Sequence, residues 1–171
     1  MAGTRHGGGP PAAAIAIDLA NRQRKVPVDG HRLKAVAQAA LAAEGVTAAE
    51  LSVTVVDDRR IAAVHGEWLD DPTPTDVITF DLGMPGDPTL RGDILLSAET
   101  AAREARRLTS GRQGWTPHLE LAYYLVHGIL HLTGFDDRAD DDRRRMRGRE
   151  RTVMKAAGLP PPPRRAARRR L

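Results

Sequence analysis

The segment HGILHLTGFDD, residues 127–137, contains two histidines at a spacing suited to metal chelation. On a helix, His127 and His131 lie about 40° apart around the axis and about 6 Å apart along it, so both imidazoles project from one face. Such pairs also occur as ordinary hydrogen-bonded core or surface imidazoles. The surrounding stretch LAYYLVHGILHL has no charged residue, however. Burying imidazoles there without partners is costly, which favours a metal site.

A third ligand can come from the two aspartates that follow this helix. Gly134 permits the left-handed cap that reverses the chain, and we expect Phe135 to anchor the turn. Asp136 or Asp137 then reaches the two imidazoles. Three protein ligands that leave one position open are typical of catalytic zinc sites.

The residue after the first histidine limits the reactions open to such a site. In the HExxH helix of zinc proteases, this position holds the glutamate that acts as general base. Here it is Gly128, which has no group to take a proton. The helix is therefore zincin-like in its ligand spacing, but a zincin-type protease is disfavoured. We expect Gly128 instead to let another backbone or a bulky polyanion come close to the metal.

Composition restricts the other possible sites. The chain has 171 residues, no cysteine and 41% hydrophobic residues. That is enough for one packed core, and any metal must be held by His, Asp or Glu. The N-terminus lacks the pattern of a signal peptide, and no stretch reaches the roughly 18 apolar residues of a membrane span. These features predict a cytoplasmic protein with no membrane partner.

Positive charge is concentrated at the C-terminus. The net charge is +4, but the last eight residues, RRAARRRL, carry five arginines, so the rest of the chain is close to −1. Such a tail can bind nucleic acid through phosphate groups, or it can simply keep the protein in solution. The block at residues 138–151, with seven arginines and four acidic residues, fits a solvated helix face with charge pairs.

Hydrophobic periodicity predicts an α+β fold, a single domain with one mixed four-stranded sheet packed with about five helices. Alternating and β-branched runs predict strands at residues 14–21, 51–58, 77–82 and 92–97. Helical spacing predicts helices at about 30–44, 58–69, 98–108, 117–133 and 140–157, with N-caps at Asp29 and Thr116 and a break at Gly111 to Gly114. The domain spans residues 14–158, between a disordered N-terminus, residues 1–13, and a flexible Pro/Arg-rich tail, residues 159–171.

Four segments, in the same order along the chain, resemble motifs of the YbeY family of bacterial endoribonucleases and ribosomal RNA maturation factors. HGILHLTGFDD is similar to the family signature HGxLHLxGyDH, and ELSVTVVDD to its second strand with a Val-Asp-Asp end. PTPTDVITFDL resembles its Pro-Thr-Asp-Val-Leu-Ser-Phe segment, and RGDILLS its Gly-Asp-Ile strand. Together the segments cover about residues 50–157, and four ordered matches are not expected by chance.

The resemblance implies a small sheet packed with helices around one ion, Zn²⁺ or another divalent metal, with His127, His131 and Asp137 as ligands and catalytic residues. It implies metal-dependent cleavage of single-stranded RNA, in processing of the 3′ end of small-subunit ribosomal RNA and in ribosome quality control. Ribosomal RNA and the small ribosomal subunit are the implied partners. A non-catalytic ribosome-assembly factor with a structural metal is the alternative, and a metalloprotease is a distant one. The oligomeric state is not predicted.

Two positions depart from the family pattern. Asp137 stands where the family usually has a histidine ligand. Aspartate ligates zinc well, but its negative charge lowers the net charge of the ion and its ligands to about +1. The lower charge weakens the attraction for phosphate and makes ions other than zinc more plausible. Leu69 aligns with an arginine that is functionally important in the family, and leucine cannot neutralise a phosphate. The arginines considered as replacements are Arg59, Arg60 and Arg91.

Several further residues have less specific predicted roles. Glu120, seven residues before His127, is expected to favour the helix dipole rather than to orient a ligand. Asp76 can cap its loop or form a hydrogen bond near the site. Two histidines are expected to be structural or exposed, and three aromatic residues to anchor the core rather than stack on bases: His65, His118, Trp68, Phe80 and Phe135.

Overall fold

The computed structural model describes residues 14–109 and 114–163. The predictions for the N-terminus up to residue 13, for residues 111–113 of the predicted break and for the arginine-rich end from residue 164 lie outside the described residues. Within the described ranges, none of the helices combines the length and the apolar character that crossing a membrane requires.

Four strands form one mixed sheet, which confirms the predicted fold class. They are β1 (Ile15–Asn21), β2 (Ala49–Val56), β3 (Val77–Asp81) and β4 (Leu90–Ser97), in the spatial order β1-β2-β4-β3. Strands β1, β2 and β4 are parallel, whereas β3 runs antiparallel to β4 at the edge of the sheet. Strand β2 begins and ends two residues before its predicted bounds. It ends early because Asp57 and Asp58 already belong to the start of the next helix.

Five helices surround this sheet: α1 (Gly30–Ala43), α2 (Asp58–Leu69), α3 (Ala98–Thr109), α4 (Pro117–Leu132) and α5 (Asp140–Ala156). Asp29 and Thr116 cap α1 and α4 as predicted, since their side chains accept hydrogen bonds from backbone N–H groups in the first turn. Asp57 caps α2 in the same way. These caps satisfy N–H groups that have no partner inside the helix.

Helix α4 lies at the centre of the main hydrophobic core, between the sheet and α1, α3 and α5. Nine of its sixteen residues are buried. Each fully buried leucine in it, such as Leu121 or Leu125, contributes about 1.5–3 kcal/mol to stability. A smaller apolar cluster of Val56, Ile61 and Ile78 joins the sheet to α2. The helix that carries both histidines is therefore held firmly by the core.

Helix α5 has the solvated, charge-paired face that the sequence predicts, and it also has a buried face. Three arginines do form ion pairs with aspartates three residues earlier, as expected. Its other face is buried, at Met146, Glu150, Val153 and Met154, which follow helical spacing within the arginine-rich sequence. Leu159, assigned to the flexible tail, packs against the same core.

Candidate metal centre

His127 and His131 lie one above the other on α4, near its C-terminal end. Their Nε2 atoms are 3.0 Å apart, and the ring planes are nearly perpendicular, at 87°. Two imidazole nitrogens come this close favourably only when one donates a proton to the other or when both face one cation. The helical spacing thus aims both rings at a common point.

The turn after α4 fixes the orientation of His131. Gly134 adopts φ 97°, a left-handed conformation that favours glycine, and the N–H of Phe135 bonds back to the carbonyl of Leu130 at 3.0 Å. Phe135 packs against the core and so anchors the turn as expected. Its carbonyl oxygen accepts a hydrogen bond from Nδ1 of His131 at 3.0 Å. Because a carbonyl can only accept, Nδ1 carries the proton, and the Nε2 lone pair remains for a ligand.

A buried glutamate on α5 fixes the orientation of His127. Nδ1 of His127 donates to Oε1 of Glu150 at 2.8 Å, and the Tyr123 hydroxyl donates to the same oxygen at 3.2 Å. Glu150 was not predicted, although its position four residues after Met146 and three before Val153 marks it as part of the buried stripe of α5. The signal was present in this spacing, but the arginines of the segment indicated only its solvated face.

Asp137, rather than Asp136, faces the histidines. Its Oδ2 lies 4.0 Å from Nε2 of His127, and the ligand atoms of His127, His131 and Asp137 all lie within 4.8 Å of one another. Oδ1 of Asp136 instead accepts hydrogen bonds from the next two backbone N–H groups, at 2.7 and 3.2 Å. Asp136 therefore shapes the turn that presents Asp137.

This donor set fits one divalent ion. Metal–ligand bonds of about 2.0–2.2 Å in a tetrahedral site place neighbouring ligand atoms about 3.3–3.5 Å apart. The separations of 3.0 and 4.0 Å from Nε2 of His127 bracket that range, and all three ligand atoms lie within 4.8 Å of one another, so side-chain movements of about 1 Å suffice. Two imidazoles and one carboxylate suit Zn²⁺ and other first-row divalent metals.

The two imidazoles differ in their electrostatic surroundings. Burial lowers the pKa of His127, but the hydrogen bond and charge of Glu150, with weaker contributions from Asp76 and Asp137, outweigh burial and raise it. Burial and the neighbouring charge of His127 lower the pKa of His131. Positive charge at the site is thus stabilised chiefly on His127, through Glu150.

Gly128 faces the sheet and not the open side of the site. A Cβ there would lie 2.9 Å from Oγ1 of Thr79 on β3 and 3.2 Å from Cγ2 of Ile94 on β4. This corrects the expectation that Gly128 makes room for a polyanion at the metal. The close approach is that of the sheet to α4, at Thr79 on β3 and Ile94 on β4.

Asp76, just before β3, combines the two roles considered for it. Its Oδ1 accepts hydrogen bonds from the Thr75 hydroxyl at 3.1 Å and from the N–H of Val77 at 3.0 Å. Its charge also contributes to the raised pKa of His127. The carboxylate therefore shapes the loop and acts on the site electrostatically.

The three candidate arginines do not occupy the position of Leu69. Leu69 is 59% exposed at the end of α2. Arg59 and Arg60 lie in the first turn of the same helix, about 14–15 Å away along its axis. Arg91 is paired with two carboxylates. The phosphate-binding role suggested for these three residues has no support in their positions.

Three other expectations have definite outcomes. Glu120 is fully buried and accepts a hydrogen bond from the Trp115 indole at 2.6 Å, so it is not simply a charge placed for the helix dipole. Trp68 is 65% exposed, which corrects its assignment as a core anchor, while Phe80 is partly buried beside it. His65 bonds to the carbonyl of Thr73 at 2.8 Å and is structural, as expected.

Comparison with known proteins agrees with this architecture. The family model described as Endoribonuclease YbeY matches residues 18–158. Proteins named endoribonuclease YbeY from Geobacter metallireducens and Thermobifida fusca are 40% and 38% identical to this chain. The alignments cover 81% and 77% of this chain and 93% and 87% of those proteins. The solution structure of TM1509 from Thermotoga maritima superposes with a TM-score of 0.55 at 19% identity, over 87% of this chain and 99% of that one, and so shares the fold. The family match and the identity to these relatives show that the chain belongs to the endoribonuclease YbeY family.

Proposed function

We propose that this protein is a metal-dependent endoribonuclease that cuts single-stranded RNA and processes the 3′ end of small-subunit ribosomal RNA in the cytoplasm. The observation that carries the proposal is the convergence of His127, His131 and Asp137 in a member of a family whose relatives are named endoribonucleases. Ribosome quality control and association with the small ribosomal subunit belong to the same proposal.

The proposed roles of the three residues follow from their contacts. His127 and His131 would bind a Zn²⁺ or other divalent ion through Nε2, because their Nδ1 atoms already donate to Glu150 and Phe135. Asp137 would supply the third ligand from the turn. A divalent ion bound there supplies Lewis acidity towards a phosphate oxygen and lowers the pKa of bound water.

An exposed aromatic side chain supports RNA as the substrate. The Trp68 ring is held edge-on against Phe80, with centroids 5.6 Å apart, while most of its surface is open to solvent. Bases of single-stranded RNA stack on such rings, with about 1–3 kcal/mol for each stacked base. Trp68 thus offers a base-binding surface beside the strand that packs on α4.

The position of Leu69 favours one alternative, a ribosome-assembly factor in which the metal is structural. A leucine there gives no counter-charge to a phosphate in the transition state. If this alternative is correct, a His131→Ala protein loses its metal and its stability while mature ribosomal RNA ends still form in cells that depend on it.

Elemental analysis combined with a gel assay on single-stranded RNA tests the enzyme. We expect about one divalent ion per wild-type chain and metal-dependent cleavage, and loss of both in His127→Ala. His65→Ala is the matched control. The His65 ring bonds to the loop carbonyl of Thr73, so this substitution should leave ion content and cleavage intact. Metal-loaded wild-type protein that leaves RNA uncut would contradict the proposed activity.

The nucleophile can be identified with a modified substrate. Replacing the 2′-hydroxyl next to the scissile bond with hydrogen abolishes cleavage if that hydroxyl attacks the phosphate. Cleavage persists if water attacks. The two outcomes also give different product ends, a cyclic phosphate in the first case and a linear phosphate in the second.

A further inference from the structure

One buried carboxylate touches the candidate metal centre without being among its three ligands. Glu150 is 2% exposed, and its Oε1 is 2.8 Å from Nδ1 of His127. The ligand atom of His127 in the cluster is the other ring nitrogen, Nε2, which faces His131 and Asp137. Glu150 can therefore act on a bound ion only through the imidazole ring.

We propose that Glu150 is a positioning residue for His127, which sets its tautomer and strengthens its metal affinity and so makes α5 part of the metal centre. This inference rests on the proposed function, in which His127, His131 and Asp137 hold a divalent ion. It adds a residue and a helix that the three-ligand cluster does not contain.

The environment of Glu150 gives the first reason. A buried carboxylate is costly unless charge and hydrogen bonds compensate for lost hydration. The other buried residues of α5 are Met146, Val153 and Met154, which pack without any such cost. One oxygen of Glu150, Oε1, accepts hydrogen bonds from both Tyr123 and His127. A carboxylate in this position is consistent with a role at the site rather than in packing.

Charge balance gives the second reason. Asp137 alone reduces a dication to about +1, whereas Asp137 and Glu150 together balance it. A carboxylate that accepts from the distal ring nitrogen also makes the imidazole a stronger ligand. His131 has only the neutral carbonyl of Phe135 in the equivalent position. The two histidines therefore differ in the group that accepts from Nδ1, and His127 is the ligand whose acceptor comes from another helix.

The link between α5 and α1 offers a matched control. Arg149, next to Glu150, donates to Oε1 of Glu44 and to the carbonyl of Ala43, both at 2.6 Å. Glu44→Gln removes the charge of this ion pair and weakens the docking of α5, without touching His127. Glu150→Gln keeps nearly the same shape and an acceptor oxygen but removes the charge at the ring.

The experiment measures zinc affinity by competition with a chromophoric chelator, in full-length wild type, Glu150→Gln and Glu44→Gln. We expect Glu150→Gln to bind Zn²⁺ about 10–100-fold more weakly, the usual effect of losing such a partner. Glu44→Gln should lower the unfolding midpoint and leave the affinity unchanged. In the zinc-loaded proteins, the Nδ1–H proton resonance of His127 should move upfield in Glu150→Gln only.

Each outcome has one interpretation. A wild-type protein that binds no metal overturns the proposed function, whereas wild type and Glu150→Gln that bind equally tightly overturn this inference alone. Equal losses of affinity in Glu150→Gln and Glu44→Gln also overturn it, because they reduce Glu150 to a residue that docks α5. If Glu150→Gln does not fold, the same measurements on Tyr123→Phe test the inference. It removes one hydrogen bond from the carboxylate, and an unchanged Nδ1–H resonance and affinity count against the inference.

Discussion

Replacing Gly128 with alanine tests how closely α4 must approach the sheet. The added Cβ would lie 2.9 Å from Oγ1 of Thr79 and 3.2 Å from Cγ2 of Ile94. Thr79 is β-branched and has few rotamers on its strand, and Ile94 is fully buried, so neither neighbour can easily move. Overpacking of this kind costs about 1–3 kcal/mol. Alanine regains about 1 kcal/mol through its helix propensity.

The expected net effect is a loss of about 0–2 kcal/mol in the free energy of unfolding. Gly148 on α5 provides the matched control, because it is exposed and a Cβ there has no neighbour within 4 Å. Gly148→Ala should therefore stabilise the protein by about 0.5–1 kcal/mol.

Urea denaturation of both variants, followed by circular dichroism, measures these free energies if the m-values stay unchanged. Adding Thr79→Ala to Gly128→Ala should recover part of the loss, with a coupling energy of about 0.5 kcal/mol or more. A Gly128→Ala protein as stable as Gly148→Ala would refute the close-packing explanation, since it would mean that β3 moves away at little cost.

Three further predictions concern acid stability and RNA. Burial raises the pKa of Asp58, but hydrogen bonds from Arg103 and two hydroxyl groups outweigh it and lower the pKa. The carboxylate therefore stabilises the fold above the unfolded value of about 3.9, and this stability is lost as pH falls through the folded pKa. Asp58→Asn should lower the unfolding midpoint at pH 7, and the difference in midpoint between variant and wild type should disappear in acid. A difference in midpoint that stays constant down to about pH 2 would contradict this. Leu69→Arg should raise kcat/KM on single-stranded RNA by about tenfold, which equals about 1.4 kcal/mol of transition-state stabilisation. The control Leu82→Arg, at another exposed leucine, should leave kcat/KM unchanged. Trp68→Ala should weaken RNA binding in a filter assay by about 1–3 kcal/mol, and unchanged affinity would exclude it as a stacking surface.

Local interactions made much of this architecture predictable. The N-caps at Asp29 and Thr116, the helical spacing of His127 and His131 and the turn at Gly134 all depend on groups within a few residues of one another. The strand periodicity led to the correct α+β class, although strand ends differ from their predicted bounds by one or two residues. At the end of β2 the reason is local, because Asp57 caps the next helix. Such features act over single turns of helix or single strands, so the sequence pattern is sufficient to find them.

The tertiary structure alone decided what surrounds the histidines. Glu150 meets His127 across 23 positions in the chain, and no local pattern connects a residue of α5 with a ring on α4. Gly128 lies where two strands pack against α4, and Trp68 is 65% exposed near the end of α2. The sequence by itself determined which side chains can chelate a metal, since that depends on residue type and helical spacing. Only the packing of distant elements decided their hydrogen-bond partners, burial and charge, because these properties come from groups that the chain brings together only when it folds.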